Sequence, residues 1–307
     1  MCPASPPTEV VLSSGLHESL RKRAQSSSFD AALAWAIGIL GKQPAEITVN
    51  REGTSVDVLI LDRRHVIRIA RTDIAATQLA TEVALLEAIA PHLPVRVPSV
   101  LASAPGWALQ YYIAGIPLTR RTLAQLPSAS QDAVLADTHN FLTAMAGLSL
   151  GLPAAPAPHD PVDFARLKGE AEALLFPRLS AALAGDLRAI LEDQALAPLD
   201  ASRPGLIHGD LHPSHLLLDP ETQRLAGIID FGLAGRADPA IDLAGLWYNW
   251  GDSAAARLAQ DPDLRHRASR YARTYEIQWA VTALREDRRD WMLYAMGGAK
   301  SIDGDGW

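Results

Sequence analysis

Leu206-Ile207-His208-Gly209-Asp210-Leu211-His212-Pro213-Ser214-His215-Leu216-Leu217-Leu218-Asp219 is followed closely by Leu225-Ala226-Gly227-Ile228-Ile229-Asp230-Phe231-Gly232. An apolar pair leads into His208-Gly209-Asp210, and a second apolar run follows His215. Gly227-Ile228-Ile229 then delivers Asp230 to the start of a loop. Short apolar runs of this kind suit small buried strands whose ends present polar groups to a cleft. Phosphoryl transfer asks a protein for a carboxylate that orients the acceptor hydroxyl, ligands for Mg²⁺, and cations on the phosphates. Asp210 meets the first need as the catalytic carboxylate. His215 and Asp230 meet the second, as metal ligands in the expected order and spacing.

Composition sets the frame around this stretch. At 307 residues the chain is long for one compact domain, so two lobes are expected. With 48% apolar and 21% charged residues it has ample material for a globular core. A net charge of −7 argues against nucleic acid or an anionic membrane as partner, and mildly favours a cationic small molecule. One cysteine, Cys2, permits no disulfide within the chain, which fits a reducing compartment. The opening MCPASPPTEVV lacks a charged region followed by an apolar run, and no stretch has the uninterrupted apolar length of a membrane span. A cytoplasmic monomer is expected.

Residues 1–12, rich in Pro and Ser, are expected to be loosely ordered, and helical patterning dominates from Leu16 to Leu40. Segments 46–50, 55–62 and 65–71 then carry the β-branched residues and turn punctuation of a strand meander. A helix is predicted over 74–90, ending before Pro91, and two short strands over 99–103 and 107–113. Ala-rich segments near 121–148, 163–195 and 240–296 read as helical, with 152–161 as a surface connection. The expected fold class is α+β. A small β-rich nucleotide-binding lobe with a leading helical segment spans 1–112, and a large, mostly helical lobe spans 113–307.

The combination of His-Gly-Asp, a ligand five residues after that Asp, and Asp-Phe-Gly about twenty residues on resembles the aminoglycoside phosphotransferase family. That resemblance implies a bilobal protein-kinase-like fold, with Asp230-Phe231-Gly232 as the kinase Asp-Phe-Gly and Asp210 as the catalytic-loop Asp. It also implies that Asp242, in Asp238-Pro239-Ala240-Ile241-Asp242-Leu243-Ala244, braces the catalytic loop. Most of the family has Asn where this chain has His215. A His there, within HGDLHPSHLLLD, is similar to the macrolide 2′-phosphotransferases, as are VN-x-E-G and the V-I-R-I-A-R strand in the first lobe. Mg²⁺ prefers oxygen ligands, whereas a neutral imidazole suits Mn²⁺ or softer ions better. His215 is therefore expected to hold metal directly or through water and to lose activity once protonated; the alternative is a His fixed by hydrogen bonds alone.

In HVIRIAR, alternation places Val66, Arg68 and Ala70 on one face. A charge in that apolar strand needs a partner, and Glu82 supplies one from a stripe shared with Leu86, Ile89 and Leu93. The resemblance implies the Lys–Glu pair of kinases with Arg replacing Lys, so that Arg68 meets nucleotide phosphate bidentately. A purely structural pair is the alternative. No G-x-G-x-x-G occurs; Asn50 to Ser55 offers one Gly as a phosphate cover. The strand end Gln110-Tyr111-Tyr112-Ile113 is the candidate platform for a purine base, through backbone groups around Gln110, Tyr112 and Ile113.

Trp247, Trp250, Trp279 and Trp291 gather in the last third beside Tyr248, Tyr271, Tyr275 and Tyr294. Tyr271, Tyr275 and Trp279 share one helical face. An apolar pocket containing Trp247, Tyr275 and Trp279, with Glu276 near a sugar dimethylammonium, suits a macrolide; ordinary helix packing is the alternative. The expected reaction is transfer of the γ-phosphate of GTP or ATP, with Mg²⁺ or Mn²⁺, to the 2′-hydroxyl of a macrolide amino sugar. GTP is favoured by the resemblance. A related kinase acting on an aminoglycoside, a homoserine-like metabolite or choline is the alternative within the fold. A metal-dependent hydrolase built on His208, Asp210, His212 and His215 would need more ligands downstream, where only His266 remains, and leaves Asp-Phe-Gly unexplained. A non-catalytic binding protein would lack Asp210 or Asp230, and both are present.

Overall fold

A computed structural model of the chain describes residues 10–13, 27–51, 55–148, 164–192, 205–285 and 287. The chain divides into two compact units: Met1–Gly115 with Ala226–Gly232, and Ile116–Leu225 with Leu233–Trp307. The segment carrying Asp230 therefore belongs to the first unit, although it follows the Asp210 loop in sequence.

The first unit is built on a six-stranded antiparallel sheet. Its strands are β1 (Val10–Ser13), β2 (Glu46–Asn50), β3 (Val56–Leu61), β4 (His65–Ala70), β5 (Val100–Ala104) and β6 (Trp107–Tyr111), in the order β1-β2-β3-β4-β6-β5. The edge strand β1 corrects the expectation of a loose stretch through residue 12: Val10 to Ser13 pair along β2. The β3–β4 turn explains the register. Asp62 and Arg63 both adopt positive φ, and Arg64 N–H closes on the Leu61 carbonyl. Asp62 Oδ1 also accepts the Ala45 and Glu46 backbone N–H groups at 2.8 and 2.9 Å, tying the turn to the start of β2.

Helix α1 (Ser27–Leu40) covers one sheet face, burying Ala32 and Ala36 against Ile47, Leu59, Leu61, Ile67, Ile69 and Leu109. Helix α2 (Asp73–Ile89) starts at an N-cap in which Thr72 accepts the Ala75 N–H. It packs Leu79 and Val83 against Ala108. By length and composition Asp73–His92 is apolar enough to cross a membrane. Its buried stripe, which includes Glu82, marks it instead as a core helix of this unit.

The second unit is mainly helical. Its described helices are α3 (Arg120–Gln125), α4 (Ser128–Gly147), α5 (Phe164–Glu170), α6 (Ala181–Leu191), α7 (Ala240–Trp250), α8 (Asp252–Leu258) and α9 (Pro262–Arg285). The segment expected to be helical over 163–195 is so in pieces: α5 runs into a π turn (Ala171–Leu175) and a 3₁₀ turn at Pro177 before α6 begins. Ile277, Ala280 and Val281 of α9 form a core with Leu167, Leu175, Phe176 and Leu191. Short strands frame the loops. β8 (Gly205–Ile207) pairs with β11 (Gly235–Ala237), and β7 (Ile116–Pro117) with β9 (Leu216–Asp219). Finally β10 (Arg224–Ile228) carries the chain from the second unit back into the first. The expected connection over 152–161, and Trp291 and Tyr294, lie outside the described residues.

Candidate active site

Within the second unit, the segment after β8 is suspended from α7. The buried Asp242 accepts the His208 N–H at Oδ2, 2.7 Å, and the Gly209 N–H at Oδ1, 2.9 Å. Burial pushes this carboxyl up to about 7, opposed by the two amide bonds. Gly209 sits at φ +81°, and a Cβ there would lie 2.2 Å from the Leu233 carbonyl oxygen, so only glycine fits. A Cβ at Gly245 would stand 2.6 Å from the Leu211 carbonyl, so α7 reaches the loop only because glycine occupies that turn.

The loop then turns tightly on Asp210. Its N–H donates to His208 Nδ1 at 3.3 Å, and its carbonyl accepts the His212 N–H at 2.9 Å. The same carbonyl lies 2.8 Å from His215 Nδ1. A carbonyl only accepts, so Nδ1 carries the proton and the ring's lone pair sits on Nε2. That is the arrangement a metal-binding imidazole requires, with the second nitrogen oriented by a backbone carbonyl. The Asp210 side chain, half exposed at 50%, has its Oδ2 3.9 Å from His215 Nδ1. His212 is pushed down to about 3 by burial, reinforced by His215, and so stays neutral.

The first unit holds the other charged set. Arg68 Nη1 donates to Glu82 Oε1 at 2.5 Å and Nη2 to Asp230 Oδ1 at 3.0 Å. Glu82 Oε1 also accepts the Phe231 N–H at 3.2 Å. One buried carboxylate thus fixes both the guanidinium and the turn after Asp230. Burial pushes Glu82 up to about 7, against the pull of Arg68. Asp230 adopts φ +68°, uncommon for a non-glycine residue and held here by its surroundings. Its carboxylate is 46% exposed, and carboxylate oxygen is the donor type a hard divalent ion prefers. Each unit therefore offers a donor suited to a divalent metal: a carboxylate oxygen at Asp230 in the first and an imidazole nitrogen at His215 in the second.

The other expected positions are placed as follows. Gln110 is buried in β6, its Nε2 without a hydrogen-bond partner among the described residues. The Tyr112 N–H is committed to the Arg64 carbonyl, so that amide is not available to a base edge. Ile113 is buried beside Gly227. Of the expected phosphate cover, Asn50, Arg51 and Ser55 are described; Arg71 pairs with Asp57 and donates to the Arg51 carbonyl.

In the second unit Trp247 donates to Asp252 at 2.6 Å. Tyr275 stacks on Tyr248 at 5.4 Å, and its hydroxyl, 3.4 Å from the Ile241 carbonyl, is pushed far up by burial and then by the Asp210 and Asp242 charges. Trp279 meets the His212 ring edge-on. Tyr248, Trp250 and Tyr271 are core side chains, Trp250 donating to the Leu118 carbonyl. Glu276 is half-buried on α9. Among the described residues no group of three His, Cys, Asp or Glu side chains converges on a metal, which the hydrolase alternative required. The sequence reading gave His212 a part only in the hydrolase alternative; its capping of the turn was signalled by Pro213, the favoured first residue of a helical turn.

A model of the phosphotransferase enzyme family matches residues 46–285. The chain belongs to this family. Its fold is the kinase-like α+β fold, with an antiparallel sheet in the first region and mostly helices in the remainder. Viomycin phosphotransferase of Streptomyces vinaceus is 26% identical over 265 residues, 78% of this chain and 88% of that protein. An aminoglycoside 3′-phosphotransferase of Streptomyces fradiae is 49% identical over 57 residues, 17% of this chain and only 21% of that protein's length. Among solved structures, the GDP complex of wild-type aminoglycoside 2′-phosphotransferase-IIIa superposes with a TM-score of 0.75 at 20% identity, covering 92% of this chain and all of the other. Macrolide 2′-phosphotransferase type I gives 0.64 at 20% identity, covering 88% and 96%.

Proposed function

We propose that this phosphotransferase moves the γ-phosphate of GTP or ATP to the 2′-hydroxyl of the amino sugar of a macrolide antibiotic, inactivating it. The observation that carries the reading is the loop HGDLHPSH, in which His215 Nδ1 bonds the Asp210 carbonyl and Nε2 keeps the lone pair. Asp210 accepts the hydrogen bond of the acceptor hydroxyl and orients its oxygen for in-line attack. Arg68, fixed by Glu82, presents its fork to phosphate oxygens. His215 and Asp230 are each assigned as a metal ligand, and a divalent ion, when bound, would supply charge neutralisation on those oxygens. With the Tyr112 N–H committed to Arg64, the remaining backbone groups of Tyr112 and Ile113 are assigned to the purine.

The acceptor class is supported by the side chains of α9. That helix carries Tyr275, Glu276 and Trp279 within one turn, Trp279 reaching the His212 ring. Aromatic surface beside a single carboxylate suits an apolar acceptor with one amine. A second reading, a cationic peptide or aminoglycoside acceptor, is favoured by the long match to viomycin phosphotransferase. Product analysis after incubation with GTP or ATP and, separately, erythromycin, kanamycin and viomycin discriminates the two. Phosphorylated erythromycin alone is expected; a phosphorylated cationic drug in its place would transfer the assignment to the second reading.

A further inference from the structure

His212 stands two residues after Asp210 and three before His215, and the chemistry above gives it no part. Its Nδ1 accepts the Ser214 backbone N–H at 3.3 Å and lies 3.0 Å from Ser214 Oγ, capping the 3₁₀ turn Pro213–His215. An accepting Nδ1 places the ring proton on Nε2. That nitrogen is buried and makes no hydrogen bond of normal geometry, with the Asn249 side chain as its nearest polar neighbour. A buried donor without a well-placed acceptor is unfavourable, so its place in a tight loop calls for a compensating role.

The ring contacts supply one. His212 meets His215 edge-on, with centroids 6.3 Å apart and planes at 67°, while His208 stacks on the other ring contact of His215 at 6.0 Å and 30°. His212 also meets Trp279 of α9 edge-on at 6.2 Å. His215 is thus held by two neighbouring imidazoles and by the Asp210 carbonyl, and His212 joins it to the helix that bears the acceptor aromatics.

We propose that His212 is a positioning residue: by capping the turn and wedging between His215 and Trp279, it fixes the imidazole that holds the metal. The proposal rests on the reading of His215 as a metal ligand. Partners of metal-bound histidines typically change metal affinity about 10–100-fold when removed. The test uses the full chain, Mn²⁺ as the metal, and fluorescent mant-GTP and mant-ATP as nucleotide probes. The readout is the Mn²⁺ concentration at half-maximal nucleotide binding, measured beside the melting temperature.

His212→Phe keeps a ring but loses the capping nitrogen, and is expected to raise that Mn²⁺ concentration about 10-fold. His212→Asn keeps a capping acceptor and is expected to recover part of the loss. His215→Ala serves as the reference for loss of the ligand itself. If His215→Ala raises the Mn²⁺ requirement while both His212 variants match wild type, or only melt earlier, the proposal is overturned and the metal assignment stands. If His215→Ala leaves the requirement unchanged, the metal assignment falls and the proposal falls with it.

Discussion

The two charged groups of this enzyme are organised by opposite means. In the first unit, Arg68, Glu82 and Asp230 hold one another through side chains, with a single guanidinium bridging two carboxylates. In the second, backbone groups carry much of the placement of Asp210 and His215, beside the His208 and His212 rings: Asp242 grips two amides, and the Asp210 carbonyl receives His212 N–H and His215 Nδ1. The first arrangement is a charge balance in a buried setting, so removing one member leaves another uncompensated. The second fixes geometry while leaving the Asp210 carboxylate half exposed. Under the roles proposed above, a group that grips phosphate and one that orients a neutral hydroxyl are served by these different solutions.

The difference predicts where substitutions are felt most. Arg68→Met should destabilise the fold by about 3–5 kcal/mol, because Glu82 would stay buried without its counter-ion. Chemical denaturation measures it; a loss under about 1 kcal/mol would show that the first unit does not depend on charge balance. Arg68→Lys, which keeps the charge but not the fork, sharpens the same point and should recover only part of the stability. Next in size, Asp242→Ala leaves two backbone N–H groups without their acceptor, at about 1–3 kcal/mol each if both stay buried, and should lower kcat through misplacement of Asp210. Asp242→Asn retains one oxygen and should fall between. Smallest is Gly209→Ala, expected to destabilise by about 1–3 kcal/mol through the left-handed backbone and the approach of Leu233 O. A neutral outcome at Gly209 would mean that the loop can relax without α7.

The two regions also differed in how far sequence disclosed them. The meander from Glu46 to Ala70 was legible because β-branched residues alternate there and Asp62–Arg64 punctuate it. The pair Arg68–Glu82 followed from a charge on an apolar strand and a Glu on an apolar stripe. That Asp230 would complete a three-membered set did not follow, since 162 residues separate it from Arg68. The spacing of HGDLHPSH marked it as the candidate loop, yet the tautomer of His215 was not readable: which nitrogen carries the proton depends on the Asp210 carbonyl, a matter of three-dimensional turn geometry. The aromatics were the least legible. Tyr271 and Tyr275 share a face as expected, but one stacks on Phe164 and the other on Tyr248, and periodicity alone does not distinguish a pocket wall from a core. The interruption of the helical 163–195 segment followed the same logic, with Pro177 stopping a run whose composition favoured continuation.

The measurement that bears most directly on the account is phosphate transfer by wild type and Asp210→Asn, run in parallel with nucleotide binding. Wild type should phosphorylate the acceptor, and the variant should lose about 10²–10⁴ in kcat while binding nucleotide as wild type does. Undiminished turnover in Asp210→Asn would remove Asp210 from the mechanism and with it the reading of the HGDLHPSH loop as catalytic.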